Sequence, residues 1–454
     1  MASSVRELSE KTPTGRDRYI DLLRVASLGT VVIGHWLMAT VTVGDDGRTE
    51  VGNLLAVVPG LQLLTWALQI MPVFFFVGGF SHALSYRSLS RKAPEGGGSV
   101  YSAFLRARLQ RLLRPTMVFI GVWGFAALAV QLLGEGGALL DVTLRLVAQP
   151  LWFIGIYLAM VAFTPPLLAL HERYGWGAFG ALVLAAGAVD VARFAFGVPY
   201  VEFLNFAFVW LAVHQLGFLR ADGRLRVPAA LAVAGLAGAA ALVALGPYPL
   251  SMVGMPGERV SNMAPPTFAL LCHGMWLVGA VELLRGPAAR WLARPRVWRG
   301  VVAANGVSMT AFLWHLTAML GVYGVLIAAD VPLPEPATGA WWARVPLRMA
   351  AAAVLTALLV AAFRRFEKPV ATREPTAAAG AASGPAAAVG VTLCLFGVLG
   401  LSMVGFGGLL EGRTAMLVAV RVTAPVAVGM ALAGWLLVER AGRGAGALPV
   451  GARR

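Results

Sequence analysis

Ile20-Asp21-Leu22-Leu23-Arg24-Val25-Ala26-Ser27-Leu28-Gly29-Thr30-Val31-Val32-Ile33-Gly34-His35-Trp36-Leu37-Met38-Ala39-Thr40-Val41-Thr42-Val43 is the stretch whose reading decides the fold. It is apolar and long enough to cross a bilayer, because about 20 residues rising 1.5 Å each span a hydrocarbon core of about 30 Å. Three of its side chains do not belong against lipid: Asp21, Arg24 and His35. Arg24 and His35 lie eleven positions apart, which on an α-helix means roughly 20° in azimuth and roughly 16 Å in height. They share one face. An ionisable group within a span is costly unless it faces protein or water, so such a stripe is a functional-site hypothesis by default. Asp21 and Arg24, at i and i+3 near one end, can also simply pair and snorkel. His35 lies too deep for that.

The rest of the chain extends this reading. Of 454 residues 58% are hydrophobic and only 13% charged, which is the composition of a multi-spanning membrane protein rather than of a soluble domain. Apolar runs of 18 or more residues read as spans, and there are twelve: 20–43, 61–86, 111–133, 151–170, 175–196, 201–219, 227–247, 266–284, 301–328, 346–366, 387–410 and 414–438. The first 19 residues are polar and basic and lack a small-residue cleavage site. They are expected to be a cytosolic tail, with the first span a retained anchor.

A net charge of +15 could point to nucleic acid, but its distribution does not. With the N-terminus inside, and with Arg111, Arg114, Arg364 and Arg365 at the cytosolic ends of their spans counted there, 28 of the 37 Lys and Arg residues fall on the cytosolic side, five on the other, and four deeper within spans. That split follows the positive-inside rule. The basicity is therefore mostly topology, its partner is the lipid bilayer, and no nucleic acid is expected. Both termini are expected in the cytosol, with the chain in the plasma membrane. The two cysteines, Cys272 and Cys394, lie in spans and form neither a disulfide framework nor a metal-ligand spacing. The expected organisation is a tail at 1–19, a ten-span core at 20–370, an Ala/Gly/Ser/Pro linker at 371–386, two extra spans within 387–438 and a tail at 439–454.

Several stretches carry candidate chemistry. The loop at 44–60 is acidic (Asp45, Asp46, Glu50), and the second span contains Phe74-Phe75-Phe76-Val77-Gly78-Gly79, whose glycines let another backbone approach closely. Before the third span, Arg108, Arg111 and Arg114 recur every three residues and hold a broad common side of a helix. Two roles stay open for them: gripping phosphates bidentately or anchoring topology. Trp152 and Tyr157 open the fourth span as interfacial belt residues do. Asp190, Arg193, Glu202 and Asn205 form a polar cluster of structural character, while His214, Gln215 and His273 suit helix–helix hydrogen bonds. The ninth span reads Asn305-Gly306-Val307-Ser308-Met309-Thr310-Ala311-Phe312-Leu313-Trp314-His315. Counted from residue 301, His315 lies roughly 21 Å deep, and counted from residue 20, His35 lies roughly 22 Å deep. The two imidazoles are expected at one level.

Taken in order, these residues resemble the membrane acyltransferase-3 family. Asp21-Leu22-Leu23-Arg24 with His35 looks like its first-helix signature, with the Arg-x10-His spacing intact. Phe74-Phe75-Phe76 with Gly78-Gly79 resembles its second-helix motif, with Gly78 where a small polar residue often stands. Arg108, Arg111 and Arg114-Pro115 are similar to its basic motif, three arginines for two family positions. Leu151-Trp152-Phe153, Phe312-Leu313-Trp314-His315 and Glu367-Lys368-Pro369 look like later landmarks. The likeness covers about residues 16 to 370, and the last two spans extend beyond the ten-helix pattern.

The resemblance implies an all-α polytopic enzyme that moves an acyl group, such as acetyl, from cytosolic acyl-CoA to a hydroxyl of a cell-envelope carbohydrate, glycolipid or glycosylated metabolite. His35 would be the general base, since a positioned imidazole can take the proton of an attacking hydroxyl. Arg24, Arg108, Arg111 and Arg114 would bind the phosphates of coenzyme A. His315 would orient the acceptor, polarise the thioester carbonyl or pack. Asp21, Trp152, Tyr157 and Asn305 would support them. No permanently bound cofactor or metal is implied, and acyl-CoA is a donor substrate. A transporter using the Arg24/His35 face as a proton or substrate pathway is the rival reading, weighed down by the lack of a clear inverted repeat of broken helices. A lipid-binding scaffold leaves the burial of Arg24 and His35 unexplained.

Overall fold

The opening span is set by its first turn. Asp17 stands in extended conformation, and its side chain accepts from the backbone N–H groups of Tyr19 at 3.0 Å and Ile20 at 3.3 Å. This N-cap satisfies donors that the first turn cannot. In the computed structural model, which describes residues 2–13, 15–43, 49–93, 99–134, 138–255, 257–367, 383–410, 412–418 and 420–443, the chain then runs as helix Arg18–Met38.

The helices used below are α1 (Ala2–Glu10), α2 (Arg18–Met38), α3 (Met71–Lys92), α4 (Val100–Leu132), α5 (Ala138–Leu146), α6 (Pro150–Tyr174), α7 (Trp176–Phe194), α8 (Asn205–Ala221), α9 (Pro228–Leu245), α10 (Phe268–Leu283), α11 (Arg285–Leu292), α12 (Pro295–Asn305), α13 (Ser308–Ala328), α14 (Gly339–Phe363), α15 (Gly384–Val404) and α16 (Ala424–Arg443). Two antiparallel hairpins complete them: β1 (Ala39–Val43) with β2 (Thr49–Asn53), and β3 (Thr414–Leu417) with β4 (Val420–Thr423). Among the described residues, eleven helical segments are long and apolar enough to cross a membrane, or twelve if α10 and α11, bent by 50°, count as one. The protein is an all-α polytopic membrane protein.

Three spans differ from the hydropathy reading. The first ends at Met38, and Ala39 to Val43 turn into a strand paired with residues 49–53. Its alternation of Thr and Val suits a pleated strand, because β-branched side chains lose freedom in a helix. The ninth is two helices, since the chain breaks between Asn305 and Ser308, at Gly306 and Val307. The twelfth begins at Ala424, with residues 414–417 and 420–423 in the second hairpin. Asp45, Asp46, Lys368-Pro369, residues 371–382 of the linker and residues 444–454 of the tail lie outside the described residues.

The chain divides into two units, residues 1–80 with 169–359 and residues 81–168 with 360–454. In the first, α2 packs on α11, α12 and α13, α7 on α8, and α9 on α10. Gly79 on α3 and Gly217 on α8 meet backbone to backbone. A Cβ at Gly79 would stand 2.0 Å from the His214 carbonyl oxygen, and one at Gly217 would stand 2.2 Å from that of Phe76. Only glycine admits this crossing, the small-residue contact by which membrane helices approach. In the second unit, the last two helices, α15 and α16, pack on each other and on α4.

Candidate active site

At the Asp17 end of α2, one carboxylate organises two guanidinium groups. Asp21 is nearly buried, its side chain 6% exposed, and it accepts a fork from Arg16, Nε to Oδ2 at 2.6 Å and Nη2 to Oδ1 at 3.0 Å. Arg24, one turn further along, donates from Nη1 to Oδ1 at 3.2 Å. The bond to Asp21 raises the Arg16 guanidinium above its ordinary pKa, so it stays charged. Two guanidiniums on one carboxylate leave this trio with one excess positive charge. Asn305, the last residue of α12, donates to the Asp21 backbone carbonyl at 3.3 Å. The N-cap Asp17 is itself held by Arg220 of α8 at 2.9 Å, and Arg220 in turn pairs with Glu282 of α10 at 2.9 Å.

At the other end of α2 the two histidines meet. His35 Nδ1 and His315 Nε2 are 2.7 Å apart, and the ring centroids are 5.0 Å apart with planes 14° from parallel. That separation is little more than two ring radii plus the hydrogen bond, so the rings lie edge to edge in line rather than face to face. His315 Nδ1 bonds the Phe312 carbonyl, one turn back on α13. A carbonyl only accepts, so Nδ1 of His315 carries the proton. Nε2 of the neutral ring is then an acceptor, and Nδ1 of His35 must donate to it. The proton assignment follows from the hydrogen-bond chain and leaves the lone pair of neutral His35 on Nε2.

Surroundings hold this arrangement in place. The Trp36 indole N–H donates to the His315 carbonyl at 3.0 Å, which ties α2 to α13 at the level of the pair. His315 is fully buried, whereas His35 remains partly exposed. Among the described residues, His35 has no second hydrogen-bond partner. The pair therefore leaves one nitrogen, Nε2 of the partly exposed His35, without a hydrogen bond and backed by a buried imidazole. An Arg-bearing face and this nitrogen lie on the same helix, roughly 16 Å apart in rise.

The acyltransferase-3 profile, described as an acyltransferase domain, matches residues 17–365. The chain belongs to the acyltransferase-3 family. No curated protein and no solved structure gives a significant match. As an acyltransferase-3 protein the chain is a multi-pass membrane acyltransferase, and the matched region begins at the α2 N-cap and ends just beyond α14.

The remaining expected site residues of this acyltransferase lie in the second unit. Arg108, Arg111 and Arg114 sit on one continuous helix, α4, with Arg111 exposed and the other two half-buried. Arg108 donates from Nη2 to the Ser81 carbonyl at 2.7 Å. Pro115 inside α4 cannot donate back to the Arg111 carbonyl, which frees that oxygen. Trp152 is half-buried beside Phe153. Tyr157 bonds His82 Nε2 at 2.9 Å. His82 is a buried ionisable residue that the sequence reading did not single out, although the intramembrane-charge criterion applied to His35 covers it as well. Trp36 and Arg16 were likewise not legible as site residues, because an indole and a residue outside the span carry no hydropathy signal.

Other polar groups of the spans are bonded to one another or to backbone, although Asn205 Oδ1, Gln215 Oε1 and His273 Nδ1 are buried without a hydrogen-bond partner among the described residues. Asp190 accepts from Asn205 Nδ2 at 2.8 Å, from the Tyr248 hydroxyl at 2.9 Å and from the Phe268 N–H at 2.7 Å. Gln215 meets His171 Nδ1 at 2.8 Å, and His273 Nε2 donates to the Trp66 carbonyl at 2.8 Å. Among the described residues no group of three or more His, Cys, Asp or Glu side chains is disposed to hold a metal.

Proposed function

We propose that this acyltransferase moves an acyl group, acetyl in the simplest case, from cytosolic acyl-CoA to a hydroxyl of a carbohydrate, glycolipid or glycosylated metabolite. His35 is the general base. The chain sits in the plasma membrane with its N-terminal tail and the Asp17 end of α2 facing the cytosol. The acceptor approaches from the Met38 end.

The observation that carries this reading is the hydrogen-bond chain from His35 through His315 to the Phe312 carbonyl, which leaves an accessible lone pair on His35 Nε2. In the reaction the acceptor oxygen attacks the thioester carbonyl carbon as its proton passes to Nε2. The resulting imidazolium keeps its Nδ1–H bond to His315, which spreads the new charge away from lipid. When the tetrahedral intermediate collapses, the C–S bond breaks, the new C–O ester bond remains, and the proton moves from Nε2 to the departing sulfur. Free CoA thiol and the acyl ester leave, and His35 returns to its starting tautomer. Arg24, steadied by Asp21, takes the anionic nucleotide of the donor at the positive end of α2. The arginines of α4, in the second unit, are candidates for phosphate contacts in their own right. Coenzyme A carries no resident role here: it arrives and departs as substrate.

Purified protein in nanodiscs is to be incubated with labelled acetyl-CoA and a polar-lipid and glycoside extract of its source cells. Replacing His35 by Ala is expected to lower transfer by about 10³-fold, within the range of general-base effects, while equilibrium binding of acetyl-CoA stays within about twofold of the parent. Full transfer by that variant would overturn the assignment of the base.

A further inference from the structure

We propose that the two C-terminal helices, α15 and α16, brace α4 on both sides of Pro115 and so fix the placement of its arginines, with Glu439 the positioning residue at the arginine end. The proposal deepens the acyl-transfer reading and rests on it for the role of Arg108, Arg111 and Arg114 as contacts for an acyl-CoA phosphate. Both helices lie beyond the region that the acyltransferase profile matches, which ends at residue 365.

An internal proline weakens a helix's hold on its own direction. Pro115 has no N–H for the Arg111 carbonyl, so the ladder of α4 loses a bond between its arginine-bearing start, 100–114, and its spanning remainder, 116–132. The angle between the two parts is then set by what packs against each. The C-terminal segment packs against both. On the spanning side, Phe406, just beyond α15, is fully buried, with its ring centroid 6.1 Å from that of Phe119 and 6.4 Å from that of Trp123. Its N–H donates to the Leu144 carbonyl of α5 at 2.9 Å. Leu399 of α15 fills the notch left by Gly155 of α6, where a Cβ would stand 2.5 Å from it. On the arginine side, the Glu439 carboxylate of α16 stands 3.8 Å from Arg106 Nε and accepts from Gln110 Nε2 at 3.4 Å. The Arg106 and Glu439 side chains are 21% and 15% exposed, so water and salt screen the pair only in part.

The register of α4 shows what this grip does. Arg106 and Gln110, four positions apart, share one face, while Arg111 lies roughly 140° and Arg108 roughly 200° around the helix from Arg106. Glu439 therefore holds the back of the helix whose front carries Arg108 and Arg111. On that front Arg108 donates to the Ser81 carbonyl at 2.7 Å, and Arg111 is exposed. Releasing the back lets the arginine-bearing start swing at Pro115 without removing any arginine.

The test measures equilibrium binding of acetyl-CoA to the full-length protein in nanodiscs, together with transfer to the source-cell extract. Removing the Glu439 charge makes its neighbourhood more positive, so electrostatics alone would tighten an anionic donor. The brace predicts the opposite sign. Glu439→Gln is expected to weaken acetyl-CoA binding about fivefold and to raise the acetyl-CoA KM by a similar factor, with kcat within about twofold, the size expected for one lost ion pair. Arg106→Glu combined with Glu439→Arg rebuilds the pair in reverse at constant net charge. It is expected to return binding to within about twofold of the parent, which guards against a folding defect in the Gln variant. Unchanged or tighter binding by Glu439→Gln overturns the proposal and leaves acyl transfer standing, as does failure of the reversed pair to restore binding. A fall in kcat with acetyl-CoA binding unchanged also overturns it. The underlying reading is tested separately: parental acetyl-CoA binding by the triple variant Arg108→Gln, Arg111→Gln, Arg114→Gln would remove the α4 arginines from donor recognition and the brace with them.

Discussion

The two units each hold a buried histidine chain, and the two chains end differently. In the first, His35 donates to His315, His315 donates to the Phe312 carbonyl, and the far nitrogen of His35 is left over. In the second, the Thr164 hydroxyl donates to the Met160 carbonyl at 2.8 Å and stands 3.4 Å from His82 Nδ1, while Tyr157 meets His82 Nε2 at 2.9 Å. Because the threonine hydrogen is committed to the carbonyl, His82 Nδ1–H donates to the threonine oxygen, and the tyrosine hydroxyl donates to Nε2. Both nitrogens of His82 are consumed, and the ring is fully buried. On the proposed reading, what distinguishes the base from the structural imidazole is a ring nitrogen left over, in a tautomer fixed from behind.

The comparison is broken most severely at its first link. The His35→Ala loss of about 10³-fold described above is the largest effect expected; a comparable loss per folded molecule in a His82 variant would mean the two chains had been assigned the wrong way round. Next in size is His315, a positioning residue in this account. His315→Leu removes the acceptor behind His35 and is expected to lower kcat about 10²-fold with both KM values unchanged. His315→Gln keeps a carbonyl oxygen able to accept from His35 Nδ1–H and is expected to recover part of that loss. Equal activities for Leu and Gln, measured by single-turnover transfer, would leave His315 with packing alone.

How much of this pairing could be read beforehand follows from the residues. The apolar runs located the membrane helices, since length and hydropathy are what a bilayer selects. The depth count put His35 and His315 at one level, and the two rings are in fact hydrogen-bonded. The break after Asn305 was hidden, because Val301, Val302, Ala303, Ala304 and Val307 keep the run apolar while the backbone turns. The strand at Ala39 was hidden for the same reason. Hydropathy reports transfer free energy, not φ and ψ. The proton assignment could not be read at all: it depends on the Phe312 carbonyl, which is backbone and has no sequence signature. Arg16 joined Asp21 only once the turn before α2 brought the two together.

On the proposed reading, Arg24 separates donor binding from proton transfer on one helix. It lies on the face of α2 that carries His35 and is steadied by Asp21 at 3.2 Å. Arg24→Gln is expected to raise the acyl-CoA KM about tenfold with little change in kcat, since a charge-assisted bond contributes about 1.5–3 kcal/mol. Asp21→Asn is expected to act in the same direction and more weakly, because it releases Arg24 without removing it. A fall in kcat at saturating donor for Arg24→Gln would tie this arginine to the chemical step instead.

The smallest expected effect belongs to the second chain. Tyr157→Phe removes the hydroxyl that donates to His82 Nε2 and leaves that nitrogen buried without its partner. An unsatisfied buried acceptor costs about 1–3 kcal/mol, which lowers the melting temperature by several degrees in a detergent-solubilised protein. Transfer per folded molecule is expected to stay within about twofold, because neither ring nitrogen of His82 offers a lone pair that a substrate could reach. If thermal unfolding is unchanged but transfer drops, the Tyr157 hydroxyl serves the reaction rather than the fold, and the rule that a doubly bonded histidine is structural fails in this protein.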